Sequence, residues 1–336
     1  MTSAFICGLA GAELTVEERA FLRQTQPWGV ILFRRNIESP AQLRALTDSV
    51  REALGDASTP VLVDQEGGRV QRLAPPHWRG YPSAATFERV ASDIKGAERL
   101  AWLGARLMAG DLRDVGVTID CLPVLDAPQP AAHCVIGDRA YSGDPVSVAR
   151  IGRAAARGLL DGGVLPVMKH IPGHGRARAD SHMELPVVDA SRAELERVDF
   201  VPFIANADLP IAMTAHVVYT ALDPTAPGTL SKTVIGKTIR SAIGFDGLLL
   251  TDDLSMKALQ GDFRQRAEAA IAAGCDIVLH CNGDLDEARA VAEGAPVLAG
   301  RARARADAAL EALVHIEDFN PVDGAREFDA ALAMTA

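Results

Sequence analysis

"VLPVMKH", Val164 to His170, is apolar for five residues and then ends on a lysine and a histidine. A run that is apolar at successive positions has no face to give to water, so it reads as a parallel β-strand covered on both sides. Seven other stretches have the same form: "AFICG" (4–8), "GVILF" (29–33), "VLVD" (61–64), "VTIDCLPVLD" (117–126), "IAMTAH" (211–216), "GLLLTDD" (247–253) and "DIVLHC" (276–281). Amphipathic segments of helical length lie between them, and eight strands alternating with helices close a (β/α)8 TIM-type barrel. A doubly wound open sheet is the alternative. No GxGxxG or GxxxxGK(S/T) follows the first strand, so the usual nucleotide signature of that fold is missing.

The helices carry their own boundaries. In "SPAQLRAL", Ser39 is an N-cap, Pro40 suits the first turn and Gln42 holds the capping-box position, with Leu43, Leu46, Val50 and Leu54 on one face. Ser191 and Glu194 repeat the device, and Gly274 is a natural C-terminal stop before the last strand. A single catalytic domain over 1–336 is expected, with the barrel at about 4–283 and helical closure over about 284–336. There "RARARADAAL" reads as a solvated helix face.

With 34 Lys and Arg against 44 Asp and Glu, the net charge of −10 leaves no positive field for a polyanion, which argues against a nucleic-acid partner. The N-terminus has no basic leader segment, and no apolar run approaches the roughly 18 residues of a membrane span. Five cysteines without a CxxC pair suit free thiols in a reducing compartment. A cytoplasmic monomer acting on a small-molecule substrate is the expectation.

In a parallel barrel, chemistry collects where the strands end. Here the runs end in Asp64 and Glu66, Asp126, Lys169 and His170, His216, Asp252 and Asp253, then His280 and Asn282. The segment that follows Met168, "KHIPGHGRARADSH", adds His174, Asp180 and His182. Taken alone, it can hold a metal, bind phosphate or move a proton. Metal is disfavoured by the lack of i,i+4 histidine spacing, and phosphate by the lack of a helix start after a tight turn. Asp180 and His182 lie two apart, close enough for the carboxylate to fix one imidazole nitrogen while the other serves as acid and base. With Asp252 at a strand end, a carboxylate nucleophile and a separate acid/base form the working pair of retaining glycoside hydrolysis.

Four motifs, "DQEGGRVQRL" (64–73), "VIGDRAY" (135–141), "KHIPGHG" with "DSHMELP" (169–186) and "GLLLTDDLSM" (247–256), together resemble glycoside hydrolase family 3, and within it the single-domain bacterial β-N-acetylglucosaminidases. The resemblance implies that Asp252 attacks the anomeric carbon and that the Asp180–His182 dyad protonates the leaving group. It implies that Asp64, Arg72, Arg139, Lys169 and His170 bind the sugar. No metal or organic cofactor is implied, and the substrate would be a cell-wall muropeptide, GlcNAc-β-1,4-anhydroMurNAc with or without peptide. A phosphorylase and, from another class, a Schiff-base aldolase working through Lys169 are the rivals.

The commonest form of the loop in this family reads GHGDT, whereas this chain has "GHGRARADSH", and the two extra cations, Arg176 and Arg178, favour a substrate bearing carboxylates. The glycines of "PGHG" read as hinges that let the loop swing.

Overall fold

A computed structural model describes residues 1–130, 132–179, 181, 183–313 and 316–333. Eight parallel strands form a closed barrel: β1 (Ser3–Gly8), β2 (Pro27–Leu32), β3 (Val61–Val63), β4 (Ile119–Asp120), β5 (Leu165–Ile171), β6 (Ile211–Thr214), β7 (Leu248–Asp253) and β8 (Ile277–His280). Each strand pairs with its neighbour in sequence, and β8 closes on β1 through Phe5 opposite Val278 and Ile6 opposite Leu279. The eight apolar runs are the eight strands. The longest run is mostly not strand, however, because only Ile119 and Asp120 pair regularly and Val124 rejoins through a single bridge to Lys169.

Alternation explains why these runs carry no polar face. Ile6, Ile31, Leu62, Ile119, Val167, Met213, Leu250 and Leu279 belong to the cluster filling the barrel. Phe5, Val30, Val63, Met168, Ala212, Leu249 and Val278 pack in the second cluster, with the surrounding helices. Both faces are dry, as a barrel strand requires.

The caps act largely as read. Ser39 Oγ accepts from the Gln42 N–H at 3.2 Å, whereas the Gln42 side chain reaches back to Glu38 N rather than to the cap itself. Ser191 and Glu194 form a reciprocal capping box, and Gly274 ends its helix at φ 117°. The C-terminal region is helical, as expected, with one departure from the expected solvated face. Its tail forms a third helix, Pro321–Ala333, whose Phe328 is fully buried against Tyr81 and Phe87. Arg305 does not face solvent: it pairs with Asp246 and with Asp276, which also takes Arg240, and so clips the helix Gly300–Glu311 to the base of β7 and β8. Among the described residues no helix is long and apolar enough to cross a membrane.

Candidate active site

The strand ends open into a cleft of about 890 Å3. One wall is an ion network that no single element could build. Lys169, buried on β5, reaches Asp64 Oδ1 at 2.8 Å and Glu66 Oε1 at 2.6 Å. Arg72 donates to the other oxygen of Asp64 at 3.0 Å, and Arg139 grips Glu66 with two bonds of 2.8 Å. Burial pushes both carboxyls up, but the surrounding cations outweigh it and hold Asp64 and Glu66 below the usual carboxylate range. The same pairing overcomes burial at Lys169 and raises its ammonium above the ordinary lysine value. A lysine so held is a fixed cation and a poor amine nucleophile, which removes the physical basis of the aldolase reading.

The structure thus brings Asp64, Arg72, Arg139 and Lys169 together as expected, and adds Glu66. Arg139 is more constrained than a free sugar ligand: with a third bond to Val135 O, three of its five N–H groups are engaged by protein. Phe33, at the end of β2, also lines the cleft, and the guanidinium carbons of Arg35 and Arg72 lie 5.0 and 5.2 Å from its ring centroid.

His170 stands beside this wall with Nδ1 2.7 Å from Asp126 Oδ2. Asp126 is wholly buried and also accepts the backbone N–H of His174 at 2.6 Å. Against the cost of its own burial, the facing His170 keeps Asp126 below the ordinary carboxylate range, so it remains an anion that fixes the imidazole through Nδ1–H. His174 lines the cleft too, but burial drives its pKa down to about 4. It is neutral at physiological pH, with Nε2 3.3 Å from Ser181 Oγ.

At the end of β7 the adjacent aspartates play different parts. Both carboxylate oxygens of Asp253 are used by protein: Oδ1 takes the N–H groups of Ser255 at 2.9 Å and Cys281 at 3.0 Å, and Oδ2 takes the Ser255 hydroxyl at 2.5 Å. Its carbonyl faces His216 Nε2 at 3.0 Å, and His216 Nδ1 in turn meets Thr229 Oγ1 at 2.7 Å. Arg35 joins β8 to this belt through the carbonyls of Cys281 and Leu9. Both aspartates line the cleft: Asp253 is anchored through both oxygens by Ser255 and Cys281, and Asp252 Oδ1 accepts the Asp253 N–H at 2.8 Å. His216, Asp253 and Asp126 were visible in the sequence only as polar strand ends.

Asp180 and His182, the proposed acid/base dyad, lie outside the described residues. Ser181 between them lines the cleft. In this structure the "PGHG" glycines are closely packed. A Cβ on Gly173 would sit 3.0 Å from Asp199 Cβ, and one on Gly175 would sit 2.2 Å from Ala127 O and 2.5 Å from its carbonyl carbon. Tyr219 Oη donates to Gly173 O at 2.8 Å, Gln129 N to Gly175 O at 2.9 Å and His133 N to Ala177 O at 2.8 Å. These glycines allow close packing, and the loop is pinned through Ala177. Gly175→Ala is accordingly expected to push the loop off Ala127 and lower kcat/KM by about tenfold or more, while the melting temperature falls by only a few degrees, in line with a local shift. Unchanged kinetics in that variant would show that the pinned geometry is irrelevant to turnover. Among the described residues no group of three or more His, Cys, Asp or Glu side chains is arranged to hold a metal ion.

A cleft of titratable groups at the carboxyl ends of a closed parallel sheet defines an enzyme of the TIM-barrel class. Residues 8–314 match the glycosyl hydrolase family 3 N-terminal domain, and the chain belongs to that family as a glycoside hydrolase. It is 43% identical over 284 residues to a beta-hexosaminidase of Alkalilimnicola ehrlichii, covering 82% of this chain and 79% of the relative. It is 40% identical over 285 residues to one of Pseudomonas aeruginosa, covering 84% and 83%. Among solved structures it is similar to NagZ from Neisseria gonorrhoeae in complex with N-trifluoroacetyl-D-glucosamine, with a TM-score of 0.85 and 31% identity over 99% of this chain and 96% of that one.

Proposed function

We propose that the protein is a retaining exo-β-N-acetylglucosaminidase. It releases GlcNAc from the non-reducing end of muropeptides, GlcNAc-β-1,4-anhydroMurNAc with or without peptide, during recycling of the cell wall. The observation that carries this reading is the division of labour at the end of β7. Asp253 spends both oxygens on Ser255 and Cys281, while Asp252 lies in the same cleft as the Asp64–Lys169–Glu66–Arg139 network. Asp252 attacks the anomeric carbon and expels the aglycone, with His182 giving its proton to the leaving oxygen and Asp180 stabilising the imidazolium. In the second step His182 takes a proton from water, which displaces Asp252 and restores the β configuration. The cations at Lys169, Arg72 and Arg139 orient the sugar hydroxyls together with Asp64 and His170.

The relatives called beta-hexosaminidase and the structure with an N-acylated glucosamine support the GlcNAc assignment. Five free cysteines, four of them buried, suit a reducing cytoplasm. The reading requires no metal or organic cofactor, and activity should survive chelation. It is tested by incubating the protein with a 5-fluoro GlcNAc-type glycosyl fluoride, which slows loss of the covalent intermediate, and mapping peptides by mass spectrometry. An adduct on Asp252 is expected. An adduct on another residue, or efficient cleavage of aryl β-glucosides with none of the GlcNAc analogue, would overturn it. Acceleration by phosphate with release of GlcNAc-1-phosphate would instead identify a phosphorylase.

A further inference from the structure

The two arginines that set this loop apart are not equivalent. Arg176 directs Nε to Asp199 Oδ2 at 2.6 Å, and Asp199 is almost wholly buried, so the charge of Arg176 is spent on pinning the loop. Arg178 is exposed and makes no ion pair with any described residue. Both line a groove of about 610 Å3 outside the sugar cleft, bounded by Gln129, Pro130, Val187 and Asp189. Its apolar wall is Val187, half exposed although it sits in a short parallel pairing with Val218. Asp189 closes the far wall, where the Thr220 hydroxyl donates to it at 2.8 Å. Among the described residues, Arg178 is the cation in this groove that no acidic partner neutralises.

The groove shares no lining residue with the catalytic cleft but lies on the neighbouring stretch of the same loop. Gln129 is hydrogen-bonded to Gly175, next to His174 of the cleft. Arg178 is three residues from Ser181, which lines the cleft. Three residues span at most about 11 Å of extended chain, so the two lie within the reach of a leaving group longer than one sugar ring.

We propose that this groove is a binding site for the leaving group and that Arg178 selects aglycones bearing a carboxylate, with Val187 and Pro130 covering their apolar part. The inference rests on the glycosidase reading above and adds to it the residue that distinguishes acidic from neutral aglycones. An exposed guanidinium with no acidic partner among the described residues can offer its donors for planar, two-point capture of a carboxylate.

The test compares 4-nitrophenyl β-N-acetylglucosaminide, which is neutral, with a GlcNAc-β-1,4-anhydroMurNAc peptide carrying at least two carboxylates, in the wild type, Arg178→Ala and Arg178→Glu. For the acidic substrate kcat/KM should fall by about tenfold in Arg178→Ala, mainly through KM, and further in Arg178→Glu. The neutral substrate should change by less than about twofold, and added salt should erode the wild-type preference. Equal changes for the two substrates, or no change for either, would overturn the proposal while leaving the glycosidase reading intact. A wild type that hydrolyses neither substrate would instead defeat the glycosidase reading, and this one with it.

Discussion

Asp252→Ala is expected to lower turnover of GlcNAc glycosides by roughly 10⁴-fold or more, the scale seen when a covalent catalyst loses its nucleophile, and to leave the fold intact. In a retaining mechanism this carboxylate forms the bond to the anomeric carbon and also offsets the positive charge of the oxocarbenium-like transition state. One substitution removes both contributions. Asp252 is partly exposed, so its loss should cost little stability. Asp253→Ala should behave differently, because it strips acceptors from Ser255 and the Cys281 N–H and loosens the end of β7. It should lower the melting temperature as well as the rate. Added azide separates the roles further. In Asp252→Ala it can enter the face vacated by the carboxylate in a single displacement and give the α-glycosyl azide. An acid/base variant such as His182→Ala still forms the glycosyl-enzyme and should give the β-azide. A rate near that of the wild type in Asp252→Ala, measured on a substrate with a poor leaving group, would rule out the assignment.

The barrel was legible because its strands are buried on both faces, which leaves an unbroken apolar signature, and all eight runs form strands. The site was legible in pieces. Asp64 and Lys169 are 105 residues apart and Glu66 and Arg139 are 73 apart, so their pairing depends on the closure of the barrel and on no local pattern. Glu66 and Asp126 could be seen as carboxylates at strand ends, but position alone does not distinguish a group that meets substrate from one that holds its neighbour. Gly175 shows the reverse difficulty. Glycine in a loop suggests freedom, whereas here it is required because the Ala127 backbone lies where a side chain would go. Arg305 looked solvated in sequence and Arg176 looked available to a substrate carboxylate, yet each is claimed by an aspartate from a distant segment, Asp276 and Asp199.

Lys169→Met tests the ion-paired wall of the cleft. Removing one partner of a buried ion pair typically costs about 3–5 kcal/mol, because the remaining charge is left without compensation. Here the lower end, about 3 kcal/mol at neutral pH, is expected, since Arg72 still holds one oxygen of Asp64 and Arg139 still grips Glu66. The pH dependence gives the sign. In the wild type both carboxyls titrate below their unfolded values, so the stability they contribute is present above about pH 4 and is lost as pH falls through the folded values. Without the ammonium, burial dominates and at least one of the two should titrate above its unfolded value, a contribution that penalises folding increasingly as pH rises. The stability gap between variant and wild type should therefore be widest near neutrality and shrink below about pH 5. Urea denaturation at pH 7 and at pH 4.5 measures both. The network also carries three cations against two carboxylates, and loss of Lys169 removes the cation that bridges Asp64 and Glu66, the carboxylates of the proposed sugar-binding wall. Turnover should thus fall even where the variant is fully folded, and Lys169→Arg should recover stability more than rate, because a planar guanidinium cannot occupy the compact position between Asp64 and Glu66. A variant within 1 kcal/mol of the wild type at neutral pH, or a gap that widens in acid, would show that the network is not the stabilising wall described here.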